Sequence, residues 1–221
     1  GKYGEELWQS HFGPSWYSFD VGNVHYVVTP MLGGDHAPSY RRSDIIRWLK
    51  NDLAQTDKGK RIVLFNHDLW FWGDDLLFKD KNGEQIDFAD YNLDAMIYGH
   101  WHNHYYKQLK SGLHTYCSST PDKGGIDHGA SCFRIYNADT KGKLSSATRY
   151  TYIDGILTSA YPAEGETVSV PDGKMTVRIN AYRTISDAKK VTASVERNGR
   201  LVSTVTLMPE TDWGWSGAVR V

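Results

Sequence analysis

Apolar positions along the first 150 residues follow two periodicities. Ile45, Ile46, Leu49 and Leu53 recur at helical spacing, which predicts a helix over residues 43–55 with Ser43 as its N-cap. Two uninterrupted apolar runs, 62–65 and 95–98, predict buried strands. Residues 16–31 predict two strands around the turn Val21-Gly22-Asn23, and 112–118, 131–136 and 145–153 predict further strands. From about residue 155 the texture changes to Thr, Val, Ser and Lys with period-two alternation. Met175, Val177, Ile179 and Ala181 take one face of a strand, Val191, Ala193 and Val195 repeat the pattern, and Asn198-Gly199 supplies a type I′ turn into 201–207. The expected architecture is α/β with a mixed sheet over 1–153, then a small all-β, sandwich-like domain over 154–221. That second part is shorter than the ~100 residues of an immunoglobulin-type sandwich. The chain stops within the strand pattern 217–221, which reads as a truncated domain.

Composition narrows the function classes. With 40% hydrophobic and 23% charged residues, a packed core is expected rather than disorder. A formal charge of −1 gives no electrostatic footprint for nucleic acid or an anionic membrane. No apolar run approaches the roughly 20 residues of a membrane-spanning helix. Cys117 and Cys132 fit either one bridge or two small buried apolar side chains.

The nine histidines all fall between positions 11 and 128, so histidine chemistry belongs to the first part. Two strand ends stand out. One strand runs into Asn66-His67-Asp68, and another into Tyr98-Gly99-His100-Trp101-His102. Open α/β sheets bind ligands at the carboxyl ends of their strands, and imidazole is the commonest metal ligand among side chains. His67, His100 and His102 are the expected ligands, with Gly99 letting the backbone turn tightly enough to aim the rings. His104 extends the alternation but is expected to face solvent. Trp70, Trp72 and Trp101 flank the histidines, as pocket walls or as packing.

The order of helix 43–55, strand to His67, then Gly99-His100-Trp101-His102 resembles the C-terminal half of a calcineurin-like metallophosphoesterase. The similarity covers residues 12–153 and includes the hairpin Tyr17-Ser-Phe-Asp-Val-Gly-Asn-Val-His-Tyr. The tail after Ile153 resembles the β-domain appended to some bacterial phosphoesterases. The resemblance implies half of a four-layer αββα sandwich and a site for two divalent metal ions, Mn, Fe or Zn. His67 and His100 would bind the second metal and His102 the first. A metal-bound hydroxide would attack the phosphorus of a phosphomonoester or phosphodiester in line. Trp70 and Trp101 would contact substrate. Lys123 and His128, in the glycine-rich stretch 120–129, would meet a phosphate at the mouth of the site, although that stretch also reads as an ordinary turn. The implied location is periplasmic or secreted.

Three of the family's motifs, Asp-x-His, Gly-Asp-x-x-Asp and Gly-Asn-His-Asp/Glu, are missing. No Asp-x-His occurs, and both Gly34-Asp35-His36-Ala37-Pro38 and Gly73-Asp74-Asp75-Leu76-Leu77 lack the final Asp. Reading Asn66-His67-Asp68 as the third motif would require another histidine before His100, and residues 69–99 contain none. The bridging carboxylate, the metal-binding Asn and the general-acid histidine are therefore expected upstream or on another chain, and this chain alone should be inactive. A non-catalytic module binding glycan or protein, built on a phosphoesterase-like remnant, is the alternative. A metallo-β-lactamase-type site is disfavoured, because the stretch His100-Trp101-His102-Asn103-His104 lacks the Asp-His pair that follows directly in that family.

Overall fold

The computed structural model describes residues 4–32 and 38–221, so the stretch around Gly34-Asp35-His36 lies outside the described residues. The chain divides into two compact units, Gly1–Ser146 and Ala147–Val221. The architecture is mixed α/β in which strands predominate over several sheets.

The first unit opens with α1 (Gly4–Phe12), followed by the hairpin β1 (Tyr17–Val21) and β2 (Val24–Val28). Then come α2 (Arg42–Gln55) and β3 (Arg61–Asn66), the small hairpin β4 (Leu77–Lys79) and β5 (Gln85–Asp87), and β6 (Leu93–Tyr98), β7 (Tyr105–Gln108) and β8 (His114–Cys117). The main sheet has the order β1-β2-β3-β6-β8-β7. Its four central strands, β2, β3, β6 and β8, run parallel, while β1 and β7 are antiparallel edges.

The α2 helix lies on one face because its apolar stripe has the period of that face. Ile45, Ile46 and Leu49 are fully buried and Leu53 nearly so, against Val27, Ile62, Leu64 and Met96 of the strands. Each such side chain contributes about 1.5–3 kcal/mol on burial. The helix starts one residue earlier than the sequence pattern suggests. Arg41 occupies the N-cap, and its backbone N–H donates to the Asp44 carboxylate at 2.7 Å. Ser43 therefore sits buried inside the first turn and is not the cap.

A polar clamp fixes the same helix near the amino ends of the strands. His25 Nδ1 lies 2.8 Å from Asp20 and its Nε2 2.8 Å from Asp52 of α2, and Ser18 Oγ donates to Asp52 at 2.5 Å. Lys60 Nζ lies 2.6 Å from Asp20. Lys60, and then His25, hold the Asp20 carboxyl below the usual carboxylate range.

The other face of the sheet is covered over part of its area. The hairpin of β9 (Cys132–Ala138) and β10 (Leu144–Tyr150) sets Leu144 and Tyr136 against Val24, Val63, Ala95 and Tyr116. Along β9 the side chains alternate: Cys132, Arg134 and Tyr136 are more buried, while Phe133 and Ile135 are exposed.

In the second unit, β11 (Gly155–Tyr161), β12 (Lys174–Arg183), β15 (Met208–Pro209) and β16 (Gly214–Arg220) form one sheet, in the order β11-β12-β16-β15. A separate hairpin joins β13 (Thr192–Arg197) to β14 (Arg200–Thr206). Its Asn198 and Gly199 both have positive φ, 52° and 75°, as a type I′ turn requires. Val177, Ala181, Val191, Leu207, Trp215 and Val219 fill the space between the sheets. The packing is tight at Gly217, where a Cβ would stand 2.8 Å from Leu207 Cδ2.

Candidate metal centre

Parallel pairing of β3 with β6 sets Asn66 beside Tyr98, so the residues that follow each strand emerge together at the carboxyl edge. His67 and His100 meet there. Their Nε2 and Nδ1 atoms are 3.2 Å apart, with the rings nearly perpendicular. His100 Nδ1 is also 3.6 Å from Asp68 Oδ1. One ligand atom from each of His67, Asp68 and His100 lies within 4.8 Å of the other two. Metal–nitrogen bonds of about 2.0–2.1 Å at a tetrahedral angle place two nitrogens about 3.3 Å apart. The His67–His100 pair has that spacing, and two imidazoles with a carboxylate are donor types that Zn, Fe or Mn accept.

The turn that delivers His100 is strained. Trp101 N–H donates to the Gly99 carbonyl at 2.7 Å, closing a γ-turn centred on His100 at φ 67°, and His102 follows at φ 48°. Non-glycine residues with positive φ cost on the order of 1–3 kcal/mol each and cluster at functional sites. The bend credited to Gly99 is thus made by the two histidines themselves. Gly99 instead passes close to His67: its N–H donates to the His67 carbonyl, and a Cβ would lie 3.5 Å from His67 Nδ1.

Asn66 is fully committed to structure. Its Nδ2 donates to Thr29 Oγ1 at 2.9 Å and to the Pro30 carbonyl at 3.0 Å, and its Oδ1 accepts the Asp68 N–H at 2.7 Å. That last bond shapes the turn presenting His67 and Asp68. The two aspartates of the 73–77 stretch are also spent on turns: Asp74 accepts from Ser111 N–H and Asp75 from Leu77 N–H.

The remaining expected residues fall around this cluster with different fates. Asp68, not His102, is the third member. The His102 carbonyl accepts the N–H of Ile126 at 2.8 Å, tying this turn to the loop after β8. In that loop Lys123 and His128 are exposed, and His128 is not among the clustered donors. His104 does not face solvent as expected. It is half-buried, with Arg134 Nη2 2.8 Å from its Nε2 and Cys132 Sγ 3.8 Å from its Nδ1. The positive φ of His102 ends the His-x-His-x-His alternation there, and Arg134 and Cys132 take up the His104 ring.

Trp101 sits among Tyr98, Tyr105 and the exposed Trp72, with centroid separations of 5.2, 5.6 and 5.1 Å. Burial pushes the Tyr98 hydroxyl pKa well up. Trp70 stacks face to face on Phe78 at 3.7 Å. Cys117 and Cys132 are free and buried, and burial raises the Cys117 thiol.

Asp68 is the member that sequence reasoning missed. Its signal was adjacency to His67 in a turn, but acidic residues are common in turns and adjacency alone does not single one out. No family model matches the sequence, and no curated protein matches it.

Proposed function

We propose that this chain supplies one side of a divalent-metal centre that hydrolyses a phosphomonoester or phosphodiester, as in the calcineurin-like metallophosphoesterases it resembles. The observation that carries the reading is the 3.2 Å approach of the His67 and His100 nitrogens at the ends of adjacent parallel strands. One imidazole can donate to the other across that distance, and a cation between them would engage both lone pairs instead. Asp68 adds a negative ligand on the same side. A bound divalent ion would contribute Lewis acidity and a water of lowered pKa. The chain's own part is to hold that ion on His67, Asp68 and His100. Asn66 and the γ-turn fix where those side chains stand, and the loop carrying Lys123 and His128 borders the turn.

The layering is consistent with half of a four-layer sandwich. One face of the main sheet carries α2 and the other carries β9–β10, whose own outer side chains Phe133 and Ile135 remain exposed. In this reading the second sheet is completed, and its outer layer supplied, by polypeptide outside these 221 residues. That polypeptide also brings the bridging carboxylate, the metal-binding Asn and the general acid. None of the described helices is long and apolar enough to cross a membrane.

The test is elemental analysis of the 221-residue chain after dialysis against Mn or Zn, alongside His67→Ala and His100→Ala. About one ion per chain is expected, with affinity falling in either variant by more than the roughly 10–100-fold that loss of an outer-sphere partner costs. The chain alone should not turn over bis(4-nitrophenyl) phosphate. Two tightly held ions would show that the remaining ligands lie within the chain, and binding that survives both substitutions would remove the cluster from consideration.

A further inference from the structure

Beyond Asp68 the surface dips into a cleft of about 320 Å³, whose lining includes Asp68, Leu69, Trp70, Phe78, Arg42 and Lys79. Three features give it chemical character. Its wall is aromatic, with Trp70 and Phe78 stacked 5° from parallel at 3.7 Å. Its cation is held in place: the Arg42 guanidinium carbon lies 5.0 Å from the Phe78 ring centroid, and one of its N–H groups donates to the Lys79 carbonyl at 3.2 Å. Its charges are two cations, Arg42 and Lys79, against one carboxylate, Asp68. Asn66 also lines the cleft but has its amide spent on Thr29, Pro30 and Asp68. Asp68 belongs to the metal cluster. Among the described residues no ion pair joins Arg42 or Lys79 to a carboxylate.

A guanidinium fixed over a ring keeps its outward N–H donors in a set plane, which suits an oxyanion better than a mobile ammonium does. An apolar and aromatic wall beside it suits a flat ring. We propose that this cleft is a binding subsite for a flat-ringed organic anion, with the ring against Trp70 and its apolar neighbours and the anionic group on Arg42 and Lys79. Resting on the phosphoester reading above, the subsite holds the leaving group of the substrate, a ring bearing a carboxylate or a second phosphate. Since Asp68 belongs to both the cleft and the cluster, a ligand seated here places its other end next to His67 and His100.

The experiment separates the cleft from the metal. The 221-residue chain, with nitrogen-15 in its indoles, is titrated in EDTA with benzoate, with acetate (the charge without the ring) and with benzyl alcohol (the ring without the charge). The Trp70 indole signal, identified through Trp70→Phe, is followed by NMR. Benzoate is expected to saturate that signal at least about tenfold more tightly than either control, the size of a charge-assisted hydrogen bond. Arg42→Ala should abolish the preference and Arg42→Lys should keep part of it. Arg42 is exposed at the first turn of α2, so neither change threatens the fold. Equal response to all three probes, or a preference that survives Arg42→Ala, overturns the subsite. Zinc titration of the same proteins, after dialysis to remove the EDTA, judges the metal cluster independently. Absent zinc binding with intact benzoate preference would sink the phosphoester reading and leave the cleft standing.

Discussion

Asp127 shows how a single carboxylate sets the border of the candidate centre. Its Oδ1 accepts the N–H of Gly129 at 2.9 Å and its Oδ2 the N–H of His104 at 3.2 Å, so one side chain ties the loop after β8 to the histidine turn. The Gly129 N–H first, and then that of His104, hold the Asp127 carboxyl below its ordinary value of 3.8. A carboxyl lowered in the folded state contributes stability that is complete above the ordinary carboxylate range and is lost as pH falls through the lowered value. Amide protection of His104 and Gly129 should therefore stay level from neutral pH down to about pH 5 and be lost only below the ordinary carboxylate value, as pH falls through the lowered one. Asp127→Ala should remove it at every pH, and protection that outlasts this substitution would mean the loop is held by other contacts. Residues of this kind were only partly legible in the sequence. His67 and His100 follow apolar runs, and position after a buried strand is a strong signal. Asp68 and Asp127 are ordinary turn aspartates until a sheet brings them next to something. His104 is less exposed than expected, and positive φ at His100 and His102 ends the extended alternation that the His-x-His-x-His spacing suggests.

At the scale of elements, legibility follows burial. The α2 helix and strands β3 and β6 bury nearly all of one stripe or both faces, so their periodicity is written in apolar residues. The α1 helix is exposed along most of its length and β7 is exposed at every position, and neither left a pattern to read. The β4–β5 hairpin is three residues to a strand, too short for alternation to register. The stripe on α2 also ranks the mutations. Leu49 is fully buried between helix and sheet, and Leu49→Ala is expected to cost about 2–5 kcal/mol, read as a lowered urea midpoint for the first unit. Loss of under about 1 kcal/mol would mean that the helix is free to collapse into the space, and that the sheet end carrying His67 is less firmly braced than its packing implies.

For the whole molecule, the instructive surface is the face of the main sheet opposite α2. Strand pairing brings Phe19 beside Tyr26, and Tyr26 lies across from Val63, with Phe65 two residues on. Their rings run in a chain, Phe19 to Tyr26 at 5.1 Å and Tyr26 to Phe65 at 6.4 Å. The β9–β10 hairpin shields the lower part of this face, where Val24, Val63 and Ala95 have no exposure, yet Phe19 is 45% exposed at the β1 edge. Exposed aromatic rows of this kind mark surfaces that meet something, and in the proposed sandwich that something is the rest of the second sheet. A half-exposed ring with two aromatic neighbours, Tyr17 at 6.1 Å and Tyr26 at 5.1 Å, has a bounded amount to lose. Phe19→Ser should cost no more than about 3 kcal/mol, the upper value of two aromatic pairs, while reducing binding of the dye ANS to the 221-residue chain. A longer polypeptide that supplies the missing motifs should reduce dye binding to the wild-type face as well, and should raise metal occupancy in the same preparation. If it restored the metal but left the aromatic row open to dye, the second sheet would have to close elsewhere, and the four-layer arrangement would fail while the metal centre stood.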